Sequence, residues 1–524
     1  MTFLLTTERW IPCRRLDGSP AELGLFDALA HAHEIEGLRA ASPPATLALN
    51  RLLLGILHHV FGPGDLRGWT MLYRAGAFDA TRLGAYFQAQ EARFDLLHPE
   101  RPFMQVRGLT KLYEPSGLGR LLLVRSNYGT EVNVFQHRNT AAAIEDTLAL
   151  PQAAQALLVL QGFAPGGWVK KKGEPDAATA APLHRGAFVL VHGRTLFETL
   201  MHNLLVYAPE RDLPVPAGPE PDIPSWEQPE LPRQVGVKET SRRPRGWVDW
   251  LTWQSRRLEL VIDEQTRRVS GVVYCVGQGL ADEGLTDPML AYRVDKKRGF
   301  VPIDLSDDRA TWRDCHALVR SVGADGARPP AAITQLARVE LRPVFAMRQH
   351  LILDVIGMRG DQAKIRLARH ERLSLPAGLL ADPERLAAIG QGTGLAEQVG
   401  LRLTFAIRDA VRVVLAPGGR DPDPEDVRRV TESLGAERSY WASLEVPFER
   451  LLEDLAETEI GRALDAFFGH VRCAARDTLR LATGALGTGA AKLHGAAVAE
   501  RHLSKALRDI LPAAGVVRQS GGPP

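Results

Sequence analysis

Residues suited to bind a polyanion are concentrated in a few short stretches of this chain. The first, residues 166–173, places Lys170, Lys171 and Lys172 on a segment that begins with Gly166 and Gly167. Lysine side chains neutralise phosphates, and glycines allow a backbone to approach a nucleic-acid groove closely. The segment is therefore a candidate phosphate-binding loop, and a solvated hairpin tip is an equally good interpretation.

Two further stretches combine basic residues with other features. Residues 238–257 hold six basic residues against two acids and include Trp247, Trp250 and Trp253. Tryptophans at this spacing are more often core residues than platforms on which bases stack. Residues 293–298 form a compact basic turn that contains Lys296 and Lys297. A turn of this composition is more often simply solvated than part of a site.

A fourth stretch, residues 359–372, carries five Lys or Arg residues and overlaps a glycine-bordered turn. The apolar run 351–356, followed by residues 357–363 with Gly357 and Gly360, predicts a strand, a tight turn, and then another strand or a helix. Gln362 would lie at the tip, where its amide can donate and accept hydrogen bonds or enter a duplex. An exposed hairpin without function is the alternative.

Catalytic signatures are missing from the sequence. It contains no P-loop, HExxH, GxSxG or CxxC pattern, and its 15 histidines do not occur at metal-ligand spacing. Residues 390–394 resemble a nucleotide loop, but no strand precedes them, which favours a flexible helix start. The acids between Asp421 and Asp426 are typical of helix capping. We therefore expect no catalytic residue, no metal, no cofactor and no enzymatic activity, although an enzyme can assemble its site from distant residues.

Composition limits the class of protein further. A chain of 524 residues with 45% hydrophobic and 24% charged residues can bury at least two cores. The net charge of only +2 means that a polyanion site must come from local clustering. Four scattered cysteines, together with the lack of a signal-peptide core or a long apolar run, favour a soluble, cytoplasmic protein.

The elements that must position these residues differ between the two parts of the chain. Strand-like and helical patterns alternate up to about residue 372, and helical periodicity then continues to the C-terminus. Specific expectations are a helix over 47–60, strands over 121–124, 187–191, 257–262 and 271–276, and a proline-rich connector over 209–232. We predict an α+β protein, with a large mixed α/β domain (1–372) followed by a C-terminal four-helix bundle (373–524).

Motifs spread over nearly the whole chain resemble those of one family. They comprise Trp10-Ile11-Pro12, residues 25–30 and 47–60, Arg101-Pro102-Phe103-Met104-Gln105, Leu251-Thr252-Trp253-Gln254, residues 287–293 and 357–363, and Tyr440-Trp441. Each is weakly specific, but their order and separations are hard to obtain by chance. In these features the chain resembles the CasA family, the large subunits of type I-E Cascade CRISPR surveillance complexes.

The resemblance implies a non-catalytic subunit that reads the protospacer-adjacent motif (PAM) on duplex DNA, while a guide RNA reads the target by base pairing. The implied partners are CRISPR RNA, target double-stranded DNA, the other Cascade subunits and the helicase-nuclease of the system, with no membrane. The implied wedge residues are Gln362 and Ala363, and the implied PAM-reading residues are Gly166, Gly167, Lys170 and either Lys296 or Lys297. A loop that contacts the guide RNA and a neighbouring subunit corresponds to Asn133, Phe135 and Gln136.

The helical bundle of the family holds the displaced DNA strand, and Arg472, Arg476 and Arg480 are the candidate contacts to its backbone. Solvated helix-surface arginines are the more common case. Some family members carry a cysteine-rich zinc loop where this chain has the lone Cys275, so we expect a metal-free version. Two other functions stay open: a scaffold that bridges partners without reading DNA, and a nuclease whose site lacks a recognisable motif.

Overall fold

The computed structural model describes most of the chain. The described residues are 2–123, 147–169, 177–184, 186–234, 240–281, 283–295, 297–306, 309–319, 328–342, 350–361, 364–416 and 421–511. The helices are α1 (Leu25–Ala30), α2 (Pro43–Val60), α3 (Leu66–Ala75), α4 (Ala80–Ala89), α5 (Leu150–Phe163), α6 (Leu196–Asn203), α7 (Trp247–Leu251), α8 (Cys315–Val319), α9 (Ala331–Leu336), α10 (Ala377–Leu380), α11 (Pro383–Leu415), α12 (Pro424–Ser433), α13 (Ala436–Ser443), α14 (Glu445–Glu457), α15 (Ile460–Ala485) and α16 (Ala490–Ile510).

The strands are short and form several small sheets. They are β1 (Ile11–Arg15), β2 (Pro20–Leu23), β3 (Ile35–Leu38), β4 (Gly167–Trp168), β5 (Ala177–Ala178), β6 (Phe188–His192), β7 (Thr240–Arg242), β8 (Arg256–Asp263), β9 (Arg268–Val276), β10 (Gln278–Leu280), β11 (Tyr292–Asp295), β12 (Gly299–Pro302), β13 (His350–Asp361) and β14 (Lys364–Pro376). Their sheet orders are β2-β1-β3, β10-β7, β11-β12, β14-β13-β6, β4-β5 and β8-β9.

The chain divides into two compact units. The first comprises Met1–Asp307, Val322–Val344 and Leu351–Leu373, and the second comprises Asp308–Ser321, Phe345–His350 and Ser374–Pro524. Within the described ranges, no helix combines the length and the apolar character that crossing a membrane requires.

Helix α2 forms the centre of the first unit, as its apolar sequence predicts. The Ser42 side chain accepts the Ala45 N–H at its start, and Pro43 occupies the first turn, where its missing N–H is harmless. Arg51 is buried in the middle of the helix, where its Nη1 lies 2.9 Å from Oδ2 of Asp287. The helix ends before Gly62, which has no room for a side chain because a Cβ there would lie 2.6 Å from the His58 carbonyl oxygen.

The tryptophans of the basic stretch 238–257 belong to the core. Trp247, Trp250 and Trp253 are each less than 5% exposed, so the interpretation as core residues is confirmed. Arg242 stacks on the Trp253 ring, 4.2 Å from its centroid, and forms an ion pair with the buried carboxylate of Asp249. Burial and ion pairing thus account for a large part of the aromatic and basic composition of this stretch.

Other predictions for the first unit had mixed outcomes. The predicted strands near 187–191, 257–262 and 271–276 correspond to β6, β8 and β9 and are confirmed. The strand predicted over 121–124 is wrong for residues 121–123, which follow the short 3-10 helix Leu118–Arg120 as a turn. Leu121 is fully buried there, and a short apolar run cannot distinguish a buried turn from a buried strand.

The second unit is helical, which confirms the predicted C-terminal helical region. In its described part, the four long helices α11, α14, α15 and α16 pack together. The shorter helices α12 and α13 follow α11 and precede α14 in the chain. The segment 309–319 joins the same core, because the Trp312 ring stacks on Phe448 at 4.8 Å between centroids. The Arg313 guanidinium lies 3.7 Å from the centre of the Trp441 ring.

The glycine-rich run 390–394 lies inside α11 and is not a helix start or a nucleotide loop. A Cβ on Gly392 would lie 3.1 Å from a Leu451 methyl carbon, and one on Gly400 would lie 3.0 Å from a Tyr440 ring carbon. These two glycines let neighbouring helices approach closely. The acids near residue 423 act as predicted, since the Asp423 carboxylate accepts the Glu425 N–H at the start of α12.

Candidate nucleic-acid interface

Strand β6 connects the bases of two hairpins in the first unit. It pairs antiparallel with β13, from Phe188 opposite Ile356 to His192 opposite Ile352. At its start, the Ala187 N–H donates to the Ile303 carbonyl and the Val189 N–H donates to the Met289 carbonyl. Residues 289 and 303 flank the β11–β12 hairpin, and β6 itself follows β5 along the chain. The β13–β14 and β11–β12 hairpins therefore share one supporting strand, and the β4–β5 hairpin precedes that strand in the chain.

The first hairpin consists of β4 and β5, in which Gly167 pairs with Ala178. Gly167 has a φ of 133°, a backbone conformation that favours glycine. A Cβ on Gly166 would lie 3.0 Å from the Ala180 nitrogen, so glycine is required for the close approach of the two arms. Gly166 and Gly167 thus have a structural reason to be glycine, and Lys170 lies outside the described residues.

The second hairpin, β11–β12, presents Lys297 in its turn. The Asp295 carboxylate accepts the N–H groups of Lys297 and Arg298, each at 2.9 Å, and Gly299 has a φ of 72°. These two backbone hydrogen bonds lower the pKa of Asp295 below its ordinary value. Lys297 is exposed at this ordered turn, and Lys296 lies outside the described residues.

The third hairpin, β13–β14, corresponds to the strand and turn predicted from residues 351–363, and of the two predicted continuations, strand or helix, it has the strand. Gln362 and Ala363 lie outside the described residues, but the two strands that lead to them are described. Gly357 lies where β13 crosses the backbone before β6, and a Cβ there would lie 2.4 Å from the Gly186 carbonyl oxygen. Only glycine allows the strands to approach this closely.

One buried carboxylate links all three strands of the β14-β13-β6 sheet. Oδ2 of Asp354 on β13 lies 2.6 Å from Nε2 of His192 on β6. Oδ1 of the same side chain lies 3.1 Å from Nε2 of His370 and 2.8 Å from Nε of Arg372, both on β14. Burial raises the pKa of Asp354, but the contacts with His192, His370 and Arg372 outweigh burial and hold this pKa below its ordinary value.

The candidate strand-binding arginines share one face of α15 in the second unit. Arg472, Arg476 and Arg480 follow one another at intervals of four residues, which places them along one stripe of the helix. Arg472 is half-buried, whereas Arg476 and Arg480 are exposed. Nη2 of Arg480 lies 3.2 Å from Oδ1 of Asp477, so part of the positive charge on this stripe is neutralised.

Other predicted residues are not brought into these hairpins. Asn133, Phe135 and Gln136 lie outside the described residues. Cys275 is fully buried in β9, next to Val273 in a small apolar cluster. Across the described ranges, no three His, Cys, Asp or Glu side chains converge as a metal site requires. The predicted lack of a cofactor and of catalysis stays an expectation.

Sequence reasoning missed two buried arginines. Arg256 and Arg257 at the start of β8 are fully buried, although they were counted as part of the basic stretch. Their signal in the sequence was weak: two adjacent charges at the beginning of an apolar, alternating strand. Their partners include backbone carbonyl groups from distant segments, which no local pattern indicates.

The fold of both units has counterparts among proteins of known structure. The crystal structure of Thermus thermophilus CasA superposes with a TM-score of 0.81 at 30% identity, covering 97% of this chain and 100% of that chain. A chain from a structure described as a CRISPR RNA-guided surveillance complex shares the fold, with a TM-score of 0.77 at 24% identity over 96% of this chain and 99% of that chain. The fold is thus that of a CRISPR-associated protein.

Sequence comparison identifies the family. The family model of CRISPR-associated protein Cse1 matches residues 5–484. A curated relative from Thermus thermophilus, CRISPR-associated protein CasA/Cse1, is 32% identical over 519 residues, which cover 97% of this chain and 98% of the relative. The chain belongs to the Cse1 family.

Proposed function

We propose that this chain is the large subunit of an RNA-guided type I-E CRISPR (Cascade) complex. In this role it recognises the PAM in double-stranded DNA and wedges the duplex open to start R-loop formation. Its partners are CRISPR RNA, the other Cascade subunits and a helicase-nuclease that it helps to recruit. The observation that carries the proposal is the attachment of the β13–β14 and β11–β12 hairpins to the single strand β6.

The physical basis is the rigidity of the strands that support the wedge hairpin. A wedge must work against base stacking, which costs about a few kcal/mol per step. The strands β13 and β14 that carry Gln362 and Ala363 are held to β6 by backbone pairing and by the buried Asp354 carboxylate. A side chain held by such rigid strands can separate a base pair without being displaced itself. Phosphate contacts made by basic loops supply the compensating free energy.

PAM reading is assigned to the two smaller hairpins. Lys297 and its neighbour Lys296, together with the backbone at Gly166 and Gly167 and the side chain of Lys170, would enter the minor groove. Readout there distinguishes mainly A·T from G·C pairs, so we expect several PAM sequences to be accepted. Asn133, Phe135 and Gln136 are assigned to the guide RNA and a neighbouring subunit on the family resemblance alone. On the same basis, residues 1–372 would form the PAM-reading domain and residues 373–524 the bundle.

The test of the wedge uses the double variant Gln362→Ala, Ala363→Asp in the assembled complex. We expect weaker binding to a closed duplex that carries the target and its PAM. Binding to the same duplex with an unpaired bubble beside the PAM should stay normal, because no base pair remains to be opened. Equal binding of variant and wild type to the closed duplex would disprove the wedge.

The test of PAM reading uses Lys297→Glu, with Lys111→Glu as the control. Lys111 is an exposed lysine of the same unit, outside the three hairpins, so both variants change the charge equally. We expect only Lys297→Glu to weaken binding of the PAM duplex. A scaffold that does not read DNA would keep full affinity in both variants, and a nuclease would turn over DNA or RNA when given divalent metal ions.

The arginine stripe on α15 is assigned to the backbone of the displaced strand. Each phosphate contact adds about 0.7 to the slope of log affinity against log salt for a single strand. Arg476→Ala should therefore lower this slope by about that amount for R-loop DNA. Arg480→Ala should lower it less, since Asp477 already pairs with that guanidinium. An unchanged slope in both variants would remove the stripe from the interface.

A further inference from the structure

A buried guanidinium lies at the base of the β4–β5 hairpin. Nη2 of Arg256 donates to the carbonyl oxygens of Pro165 (3.1 Å) and Thr179 (2.6 Å), one on each arm of the hairpin. Its Nε donates to the Tyr274 hydroxyl and its Nη1 donates to the Ser255 carbonyl. The side chain is fully buried, and no carboxylate among the described residues pairs with it.

The position of these bonds coincides with a gap in the backbone pairing of the two arms. Below the gap, the Ala181 N–H donates to the Ala164 carbonyl, and above it β4 pairs with β5. Pro165 and Gly166 on one arm and Thr179 and Ala180 on the other separate these two levels of pairing. Arg256 bridges the arms in this interval, because a single nitrogen donates to a carbonyl from each arm.

The arginine itself is fixed from the opposite side. Its backbone N–H donates to Oε1 of Gln161 at 2.9 Å, and Nε2 of Gln161 donates to the Arg256 carbonyl at 2.9 Å. Gln161 lies near the end of α5, the helix that leads into the hairpin. Arg256 on β8 is therefore fixed by its hydrogen bonds to Gln161 of α5, at the base of the hairpin.

We propose that Arg256 is a positioning residue that sets the orientation of the glycine-bearing hairpin and, through it, the selectivity of PAM reading. The inference rests on the proposed function of that hairpin. Burying a cation without an acid is unfavourable unless its donors are satisfied, and here they are satisfied by the two arms, the Tyr274 hydroxyl and the Ser255 carbonyl. Loss of the guanidinium would remove the hydrogen bonds to Pro165 and Thr179 and release the arms from each other.

Arg257 is a matched control on the same strand. It is equally buried, but its Nη1 donates to the carbonyls of Pro232 (3.0 Å) and Gln234 (2.9 Å), away from the hairpin. Successive side chains of a strand point to opposite faces, which explains why neighbouring arginines anchor different segments. Arg257→Met therefore removes an equally buried guanidinium whose described hydrogen bonds go to residues 232, 234 and 276, and not to the arm residues Pro165 and Thr179.

The first measurement is hydrogen exchange of the full chain for Arg256→Met, Arg257→Met and the milder Arg256→Lys. With Arg256→Met, we expect the amides of Ala181 and Leu183 to exchange about tenfold faster or more, since a charge-assisted hydrogen bond changes a local equilibrium by that factor. Arg257→Met should leave them unchanged, and Arg256→Lys should fall between. Unchanged exchange in both Arg256 variants overturns the inference.

The second measurement is binding of the assembled complexes to duplexes that carry the target beside a randomised adjacent motif. Arg256→Met should reduce the preference for the selected motif by about tenfold, the factor that one misread base pair costs. Assembly and binding to duplex without target should not change.

The outcomes separate the two proposals. Faster exchange with unchanged motif preference overturns the inference if Lys170→Glu, a charge reversal in the loop itself, still alters that preference. If Lys170→Glu has no effect either, the hairpin does not read the motif, and the proposed function of this loop fails while the anchoring by Arg256 stands.

Discussion

His58 provides a direct test of the first unit's core, because its two ring nitrogens are both committed. In α2, Nε2 accepts the Leu205 N–H at 3.1 Å, so Nδ1 carries the proton and donates to the Leu54 carbonyl at 2.9 Å. The ring is 1% exposed. Burial lowers its pKa to about 4, since the charged imidazolium would lose its hydration.

The consequence is a loss of stability in mild acid. The unfolded chain, with an imidazole pKa of about 6.5, binds a proton between pH 6.5 and 4 that the folded protein excludes, so stability rises with pH in this range. From pH 8 to pH 5 the free energy of unfolding should fall by about 2 kcal/mol because of His58 alone.

The assay is urea unfolding at both pH values, followed by tryptophan fluorescence, for wild type and His58→Gln. Glutamine can make similar hydrogen bonds but does not titrate. The variant is expected to be less stable at pH 8, and the gap between the two proteins should shrink by about 2 kcal/mol at pH 5. Other groups, including the buried His202, titrate in both proteins and cancel. A gap of the same size at both pH values would refute the assignment of His58 as a buried, neutral side chain.

Three further substitutions test packing and capping, each by chemical denaturation. Arg51→Met should lower the free energy of unfolding by about 3–5 kcal/mol because it leaves the Asp287 carboxylate buried without its cation. Adding Asp287→Asn should recover part of this loss. A loss below about 1 kcal/mol would contradict the ion pair. Gly400→Val should cost about 1–3 kcal/mol because its side chain would force α11 and α13 apart, whereas Gly394→Ala, in open space, should be neutral or stabilising. Asp423→Ala should cost about 1 kcal/mol by removing the cap of α12, and an unchanged midpoint would count against that cap.

The fold was predictable where the sequence pattern alone determines the element. Residues 351–363 predicted a strand, a tight turn, and then a strand or a helix; β13 and β14 are the strand alternative, with β13 continuing through Gly357 and Gly360 to Asp361. The apolar run at 121–123 was misassigned because burial in a turn and burial in a strand give the same composition. The glycine run 390–394 in α11 was misassigned because helix packing, including that of Gly392 against Leu451, overrides the low helix propensity of glycine.

The burial of charged residues near the candidate site was harder to predict from the sequence than the fold was. Charged residues were interpreted as surface residues, and Lys297 is indeed exposed at its turn. Arg256 and Arg257 are buried because carbonyl groups far away in the chain provide their hydrogen bonds. That compensation depends on tertiary structure, so adjacent arginines in a strand give no indication of which segments they hold. The PAM, guide-RNA and wedge assignments stay predictions.

The five residues of β6 have a mechanical consequence. Force applied at the tip of β13–β14 passes into β6 through the pairs from Phe188 to His192, and the same strand holds residues 289 and 303 beside β11–β12. Under the proposed function, a load on the wedge would therefore reach the β11–β12 hairpin, which is assigned to reading the motif. Opening of the duplex and reading of the motif would then be mechanically coupled through β6.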